Sequence, residues 1–254
     1  APRTPPSINK YFASFNSLEA LNLINGCDEI FKELIKKSKN LVRLEIAGNF
    51  YDNSFFKDLS LNMPSRLQEF IFNNILSSSR DDENLHYFND FFVSQSKTLE
   101  RFETDALIEP VEIMNAFKMP NMVELSVKGF HYNAELMRIE LENLRSQTTV
   151  VTSSSLLNFE VNYMDDILFE LLAINATNLK ELIVRRFDPI DISNPAWFPK
   201  LEKITIHYFN MELKDRILRK EESERTNLEK RVLEATIDSP NNMQALLWLE
   251  VDPF

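Results

Sequence analysis

Apolar residues in this chain recur in one spaced pattern: a large apolar residue, two variable positions, a second apolar residue, one variable position, a third. The copies are Leu18, Leu21, Leu23; Leu41, Leu44, Ile46; Leu67, Phe70, Phe72; Met122, Leu125, Val127; Leu156, Phe159, Val161; Leu179, Leu182, Val184; and Leu201, Ile204, Ile206. A degenerate copy reads Leu99, Phe102, Thr104. In an extended strand alternate side chains share a face, so the fourth and sixth positions point to a core and the third and fifth away from it. The first position closes the turn that leads in. A lone unit cannot bury three such residues, and stacking neighbours makes a continuous apolar spine.

First positions recur every 22 to 34 residues, the length of a short strand plus one return. Several returns carry one face of an amphipathic helix: Ile30, Phe31, Leu34, Ile35; Phe55, Phe56, Leu59; Ile113, Met114, Phe117; and Ile167, Leu168, Leu171, Leu172. Asp28, Asp52 or Asn53, and Asp165 precede three of these faces and can cap them. The return after Val184 contains Pro189, Pro195 and Pro199, which deny it a regular helix. Insertions are expected near 73–98 and 128–155, the first a polar tip followed by Tyr87, Phe88, Phe91 and Phe92. Residues 211–231 read as one exposed, charge-dense helix. Val232, Ala235, Ile237 and Leu246, Leu249, Val251 are weak further copies of the signature.

The spaced signature resembles that of leucine-rich repeat proteins, and the resemblance implies an α/β solenoid. A curved parallel sheet would line its concave side, with helices and irregular returns on the convex side. Residues 1–10 read as a linker or N-terminal edge, and 11–254 as a single domain of about eight to ten repeats. The phrases Ser38-Lys39-Asn40-Leu41, Met119-Pro120-Asn121-Met122, Ala176-Thr177-Asn178-Leu179 and Phe198-Pro199-Lys200-Leu201 look like those of intracellular proteins of this family, closest in style to the F-box type. There, the resemblance implies, an F-box docks on the Skp1 adaptor of a cullin ubiquitin ligase and the repeats select the substrate. No F-box is present in this chain, so Skp1 contact would need a further N-terminal region.

A net charge of −11 disfavours a nucleic-acid or anionic-membrane binder, because both rely on cationic side chains. Cys27 is the one cysteine and excludes an internal disulfide framework, which points to a reducing compartment, cytoplasm or nucleus. No run of 18 apolar residues occurs, and the N-terminus does not resemble a signal peptide. His86, His131 and His207 fall in different units without metal-ligand companions, and three glycines cannot build a phosphate loop. The expectation is therefore a non-catalytic module with no cofactor and no metal.

Its partner would be a protein held on the concave face by Arg43, Glu45, Glu69, Ile71, Arg101, Glu103, Asp105, Glu124, Lys128, Arg185, Arg186, Lys203 and His207. These stand at or next to solvent-facing strand positions. They read as an acidic middle, from Glu45 to Glu124, and a basic end from Arg185 to His207, a polarity that would orient a partner. On that reading, joint reversal of Glu69, Glu103 and Glu124 to Lys weakens binding without loss of stability. The alternatives are a scaffold arm unrelated to ubiquitin ligation and a nucleic-acid-associated protein contacted through Arg185 and Arg186.

Overall fold

A computed structural model of the chain describes residues 17–24, 29–48, 54–63, 65–73, 82–108, 110–130, 133–146, 155–189 and 191–237. Contacts divide the chain into two compact units, Ala1–Tyr132 and Asn133–Phe254. The first unit alternates strand and helix: β1 (Ala20–Ile24), α1 (Glu29–Lys37), β2 (Arg43–Ala47), α2 (Ser54–Asn62), β3 (Glu69–Asn73), α3 (Asp82–Ser94), β4 (Arg101–Ile108), α4 (Pro110–Lys118) and β5 (Glu124–Phe130). Each of its strands pairs in parallel with the next. The second unit runs α5 (Ala134–Ser146), β6 (Asn158–Met164), α6 (Asp166–Asn175), β7 (Glu181–Phe187), β8 (Lys203–Phe209), α7 (Met211–Leu218), a 3-10 turn at Glu222–Glu224 and α8 (Asn227–Ile237). Strands β6, β7 and β8 are likewise parallel.

All eight strands begin at the third position of a sequence copy, and the pairing sets third beside third and fourth beside fourth. The apolar period decides this register, because a slip of one residue would turn every fourth- and sixth-position side chain outward. Those side chains form the core: Leu44, Ile46, Phe102, Val127, Leu182 and Val184 are fully buried. Thr104 is the polar exception. Its hydroxyl donates to the Phe72 carbonyl at 2.6 Å, which satisfies the buried oxygen in place of a methyl contact.

Strand entry follows from the introductory phrases. The first-position N–H donates three residues back in each: Leu41 to Ser38 O at 3.1 Å, Met122 to Met119 O at 3.4 Å, Leu179 to Ala176 O at 3.0 Å and Leu201 to Phe198 O at 3.1 Å. That single turn reverses the chain and releases it into the ladder at the second position, where Val42, Val123, Lys180 and Glu202 bond the neighbouring strand. Phe198 adopts a φ of 49°, a costly conformation for a residue with a Cβ. Burial of its ring against Phe169, with centroids 5.3 Å apart, offsets that cost.

Helices follow the strands as the apolar doublets predict. Asp165 caps α6, accepting from the Leu168 N–H at 3.0 Å. The other proposed caps, at Asp28 and Asp52 or Asn53, lie outside the described residues. The described part of 188–202 contains no helix, in keeping with its prolines. The two expected insertions each carry a helix of the repeat. Helix α3 packs against α2 and α4 and buries Phe88, Phe91 and Phe92. These rings interlock with strand aromatics, for example Phe92 with Phe102 at 4.6 Å and Phe88 with Phe72 at 5.2 Å. Helix α5 packs against α6. The Ser77–Asp81 tip and the Thr148–Ser154 run lie outside the described residues.

Two expectations need correction. Residues 211–231 are two helices, because Thr226 and Glu229 form a reciprocal capping box that starts α8: the Thr226 N–H donates to Glu229 Oε2 at 2.8 Å, and the Glu229 N–H to Thr226 Oγ1 at 3.2 Å. Arg225 meanwhile donates to the carbonyls of Ile217 and Leu218 in the last turn of α7 and to that of Lys220 just beyond it. Val232, Ala235 and Ile237 therefore belong to a helix, which packs against β8, and do not form another strand. In β4 a register shift between Thr104 and Leu107 places Leu107 opposite Gly129 and Ile108 opposite Phe130. The extra residue in β4 makes a bulge that apolar spacing alone does not reveal.

Leu44→Ala, Leu125→Ala and Leu182→Ala should each destabilise the protein by about 2–5 kcal/mol, since each truncation leaves a cavity in a close-packed core. Glu124→Ala at a third position should cost about 1 kcal/mol or less. Urea unfolding of the four variants measures both. Equal losses would contradict the register.

Candidate functional site

The third- and fifth-position side chains stand on the sheet face opposite the core, where the pleat directs them. In the first unit this face is an ion-pair ladder. Arg43 reaches Glu45 at 3.5 Å and Glu69 at 3.2 Å; Arg101 reaches Glu69 at 3.2 Å, Glu103 at 3.4 Å and Glu124 at 3.5 Å; Lys128 reaches Glu103 at 2.9 Å. Seven residues on four strands are thus linked in sequence. The register causes this, because Arg43, Glu69, Arg101 and Glu124 occupy the same position of successive strands and so alternate in sign every strand spacing.

The ladder changes the character of the face. Its carboxylates were expected to present an acidic middle, yet each has a cation within ion-pair distance, so the field that would steer a basic partner is largely cancelled locally. Hydrogen bonding from Lys128 is the largest influence holding the Glu103 carboxyl below its usual pKa, and it outweighs the opposing effect of burial; Arg101 adds to it. Asp105 is exposed and sits at the bulge. Ile71, at a fifth position of the open face, is only 7% exposed, so it does not offer a partner the open contact expected of it. Glu45 and Glu103 flank it in its own row on the strands to either side.

In the second unit, Arg185, Arg186, Lys203 and His207 are all exposed. Two of these cations are already paired: Arg186 Nε lies 2.7 Å from Asp188 Oδ2, with its guanidinium 5.7 Å from the Tyr163 ring centre, and Lys203 Nζ lies 2.5 Å from Glu181. Arg185 and His207 line a shallow depression with Glu160, Val161, Asn162, Ile183 and Tyr208. Tyr163 and Tyr208 are absent from the set read off the sequence. They lie in register with Arg186, at a position past the signature where strict alternation has ended. The recurrence of Tyr, Arg, Tyr two residues after the sixth position is the signal that marks them.

No group of three or more His, Cys, Asp or Glu side chains is arranged to hold a metal ion among the described residues. Cys27 and His131 lie outside them. No described helix is long and apolar enough to cross a membrane. No protein-family model, no curated protein and no solved structure matches this chain.

Because Glu69 is held between two guanidinium groups, Glu69→Lys should place a third cation between Arg43 and Arg101 and destabilise the protein by about 1–3 kcal/mol. Glu69→Gln should lose about 1 kcal/mol or less. The gap between the two should narrow at about 1 M salt, where screening acts within a few ångströms. This replaces the expectation that reversal on this face leaves stability untouched, and urea unfolding at two salt concentrations checks it.

Proposed function

We propose that the protein is a non-catalytic, intracellular recognition module of the leucine-rich repeat type, and that it binds a protein partner across the open sheet faces of its units. The observation that carries this reading is the regular row structure of those faces: chemically varied side chains repeat at strand spacing on a scaffold whose other face is apolar except at Thr104. Such a surface separates the residues that hold the fold from those free to select a partner. Ion pairs already formed on the protein pre-organise long side chains, which lowers the entropy lost when a partner docks.

Within this reading the protein serves as the substrate receptor of a cullin-type ubiquitin ligase, supported by the style of its introductory phrases. The alternative is a scaffold arm. Co-purification with the full-length protein separates them: a receptor brings Skp1 and a cullin along with the partner, and a scaffold brings the partner without them.

Joint alanine substitution of Glu45, Glu124 and Lys203 on the open faces should weaken the co-purified partner by more than about tenfold in calorimetric titration, the effect of losing several interface contacts together. Alanine at the exposed Glu135, Arg138 and Glu142 of α5 should change it by less than about twofold. Equal effects of the two sets would place recognition on the helices and overturn the proposal.

A further inference from the structure

Most cations on the open faces are neutralised within the protein, and Arg185 stands apart. Among the described residues its exposed guanidinium makes no hydrogen bond or ion pair, whereas Arg43, Arg101, Lys128, Arg186 and Lys203 are each held by a carboxylate. The surroundings are ordered by the strands. Since Val161, Val184 and Ile206 share one row and Tyr163, Arg186 and Tyr208 another, the row between them is Asn162, Arg185 and His207. Neighbouring strands lie about 4.8 Å apart, so a carboxamide, a guanidinium and an imidazole stand side by side. All three line one depression of about 320 Å³, together with the apolar side chain of Ile183.

We propose that this row is a docking site for the carboxylate of an acidic peptide segment, with Arg185 as its anchor. The inference rests on the reading that the open face recognises protein. A planar guanidinium offers two parallel N–H donors that match the two oxygens of a carboxylate. Asn162 and His207, on either side, can donate to or accept from the peptide groups flanking the acidic side chain. Ile183 supplies apolar surface for the methylene groups of that side chain. Glu160 lines the same depression and selects for a single negative charge, because the second charge of a phosphate would lie near its carboxylate. The overall charge of −11 makes the site local by necessity: an acidic peptide is repelled by the protein at large and held only where a cation is unpaired.

The test uses fluorescein-labelled acetyl-hexaglutamate amide, titrated with the whole protein at low and at physiological salt and followed by anisotropy. Arg185→Gln should weaken binding by about tenfold or more, the consequence of losing a charge-assisted hydrogen-bond pair. Arg185→Lys should recover only part of it. Arg145→Gln and Lys180→Gln, whose cations are already engaged by Glu170 and Glu202 and lie outside the proposed recognition set, should change it by less than about threefold. Circular dichroism and thermal melts of each variant establish that the fold is kept. Similar losses for all of these substitutions would show general electrostatics and overturn the proposal. So would binding no tighter than that of acetyl-hexaglutamine amide, or displacement of the peptide by inorganic phosphate at lower concentration than by acetate. If the peptide fails while the open-face alanine variants still lose the partner, the carboxylate site falls and the recognition reading stands.

Discussion

Burial of the fourth- and sixth-position side chains is what every other feature of the structure follows from. In a parallel sheet with one apolar face, a strand has one acceptable register with its neighbour, since any odd shift exposes its whole apolar set. Leu44 beside Phe70 beside Phe102 beside Leu125, and Phe159 beside Leu182 beside Ile204, are the outcome. Once these rows are set, the opposite face has no freedom of its own. Whatever residue type stands at a third or fifth position becomes the lateral neighbour of its counterpart one repeat away. The Arg43, Glu69, Arg101, Glu124 alternation is therefore an electrostatic arrangement imposed by apolar burial on the other side of the sheet.

That coupling separates stability from selectivity. The core rows resist change because truncation there leaves cavities, whereas the outer rows tolerate most residue types individually. The ladder is a partial exception, since its members depend on each other and reversal of one sets like charges side by side. The aromatic layer made by Phe56, Phe72, Phe88, Phe92 and Phe102 lets strands β3 and β4 sit on helices α2 and α3 through edge-on and stacked rings. On such a support the outer side chains are held in fixed rows, and this is what a docking surface requires.

Much of this was legible in the sequence, for specific physical reasons. Strand starts could be read because a period of two behind an apolar lead residue, repeated over so many copies, is met by little besides repeated strands. The Asp165 cap was readable because an acidic residue stands immediately before an apolar doublet. The bulge in β4 was not, since one additional residue between Thr104 and Ile108 leaves the spacing of flanking apolar positions unremarkable. The break before α8 was encoded in Thr226 and Glu229, a capping box concealed by the surrounding charges. The candidate surface was legible as a roster of positions but not as a set of partners. Whether Glu69 faces solvent as a free anion or rests between two guanidinium groups depends on side-chain conformation across three strands. The same holds for Arg185, whose availability emerges only after every neighbouring cation has been assigned to its carboxylate.

Strand register underlies both the core and the open faces, and disulfide trapping measures it. In a Cys27→Ser background, paired cysteines replace Arg101 and Glu124 in one protein and Glu181 and Lys203 in another, both pairs being lateral neighbours in parallel strands. Their Cα separation falls in the range a disulfide can bridge. Both pairs should oxidise rapidly to an intramolecular disulfide in the folded protein, and cysteines replacing Glu181 and Ile204, which lie on opposite faces of the sheet, should not. Efficient trapping of the offset pair, or failure of both in-register pairs, would refute the register and with it the placement of every residue on the open faces.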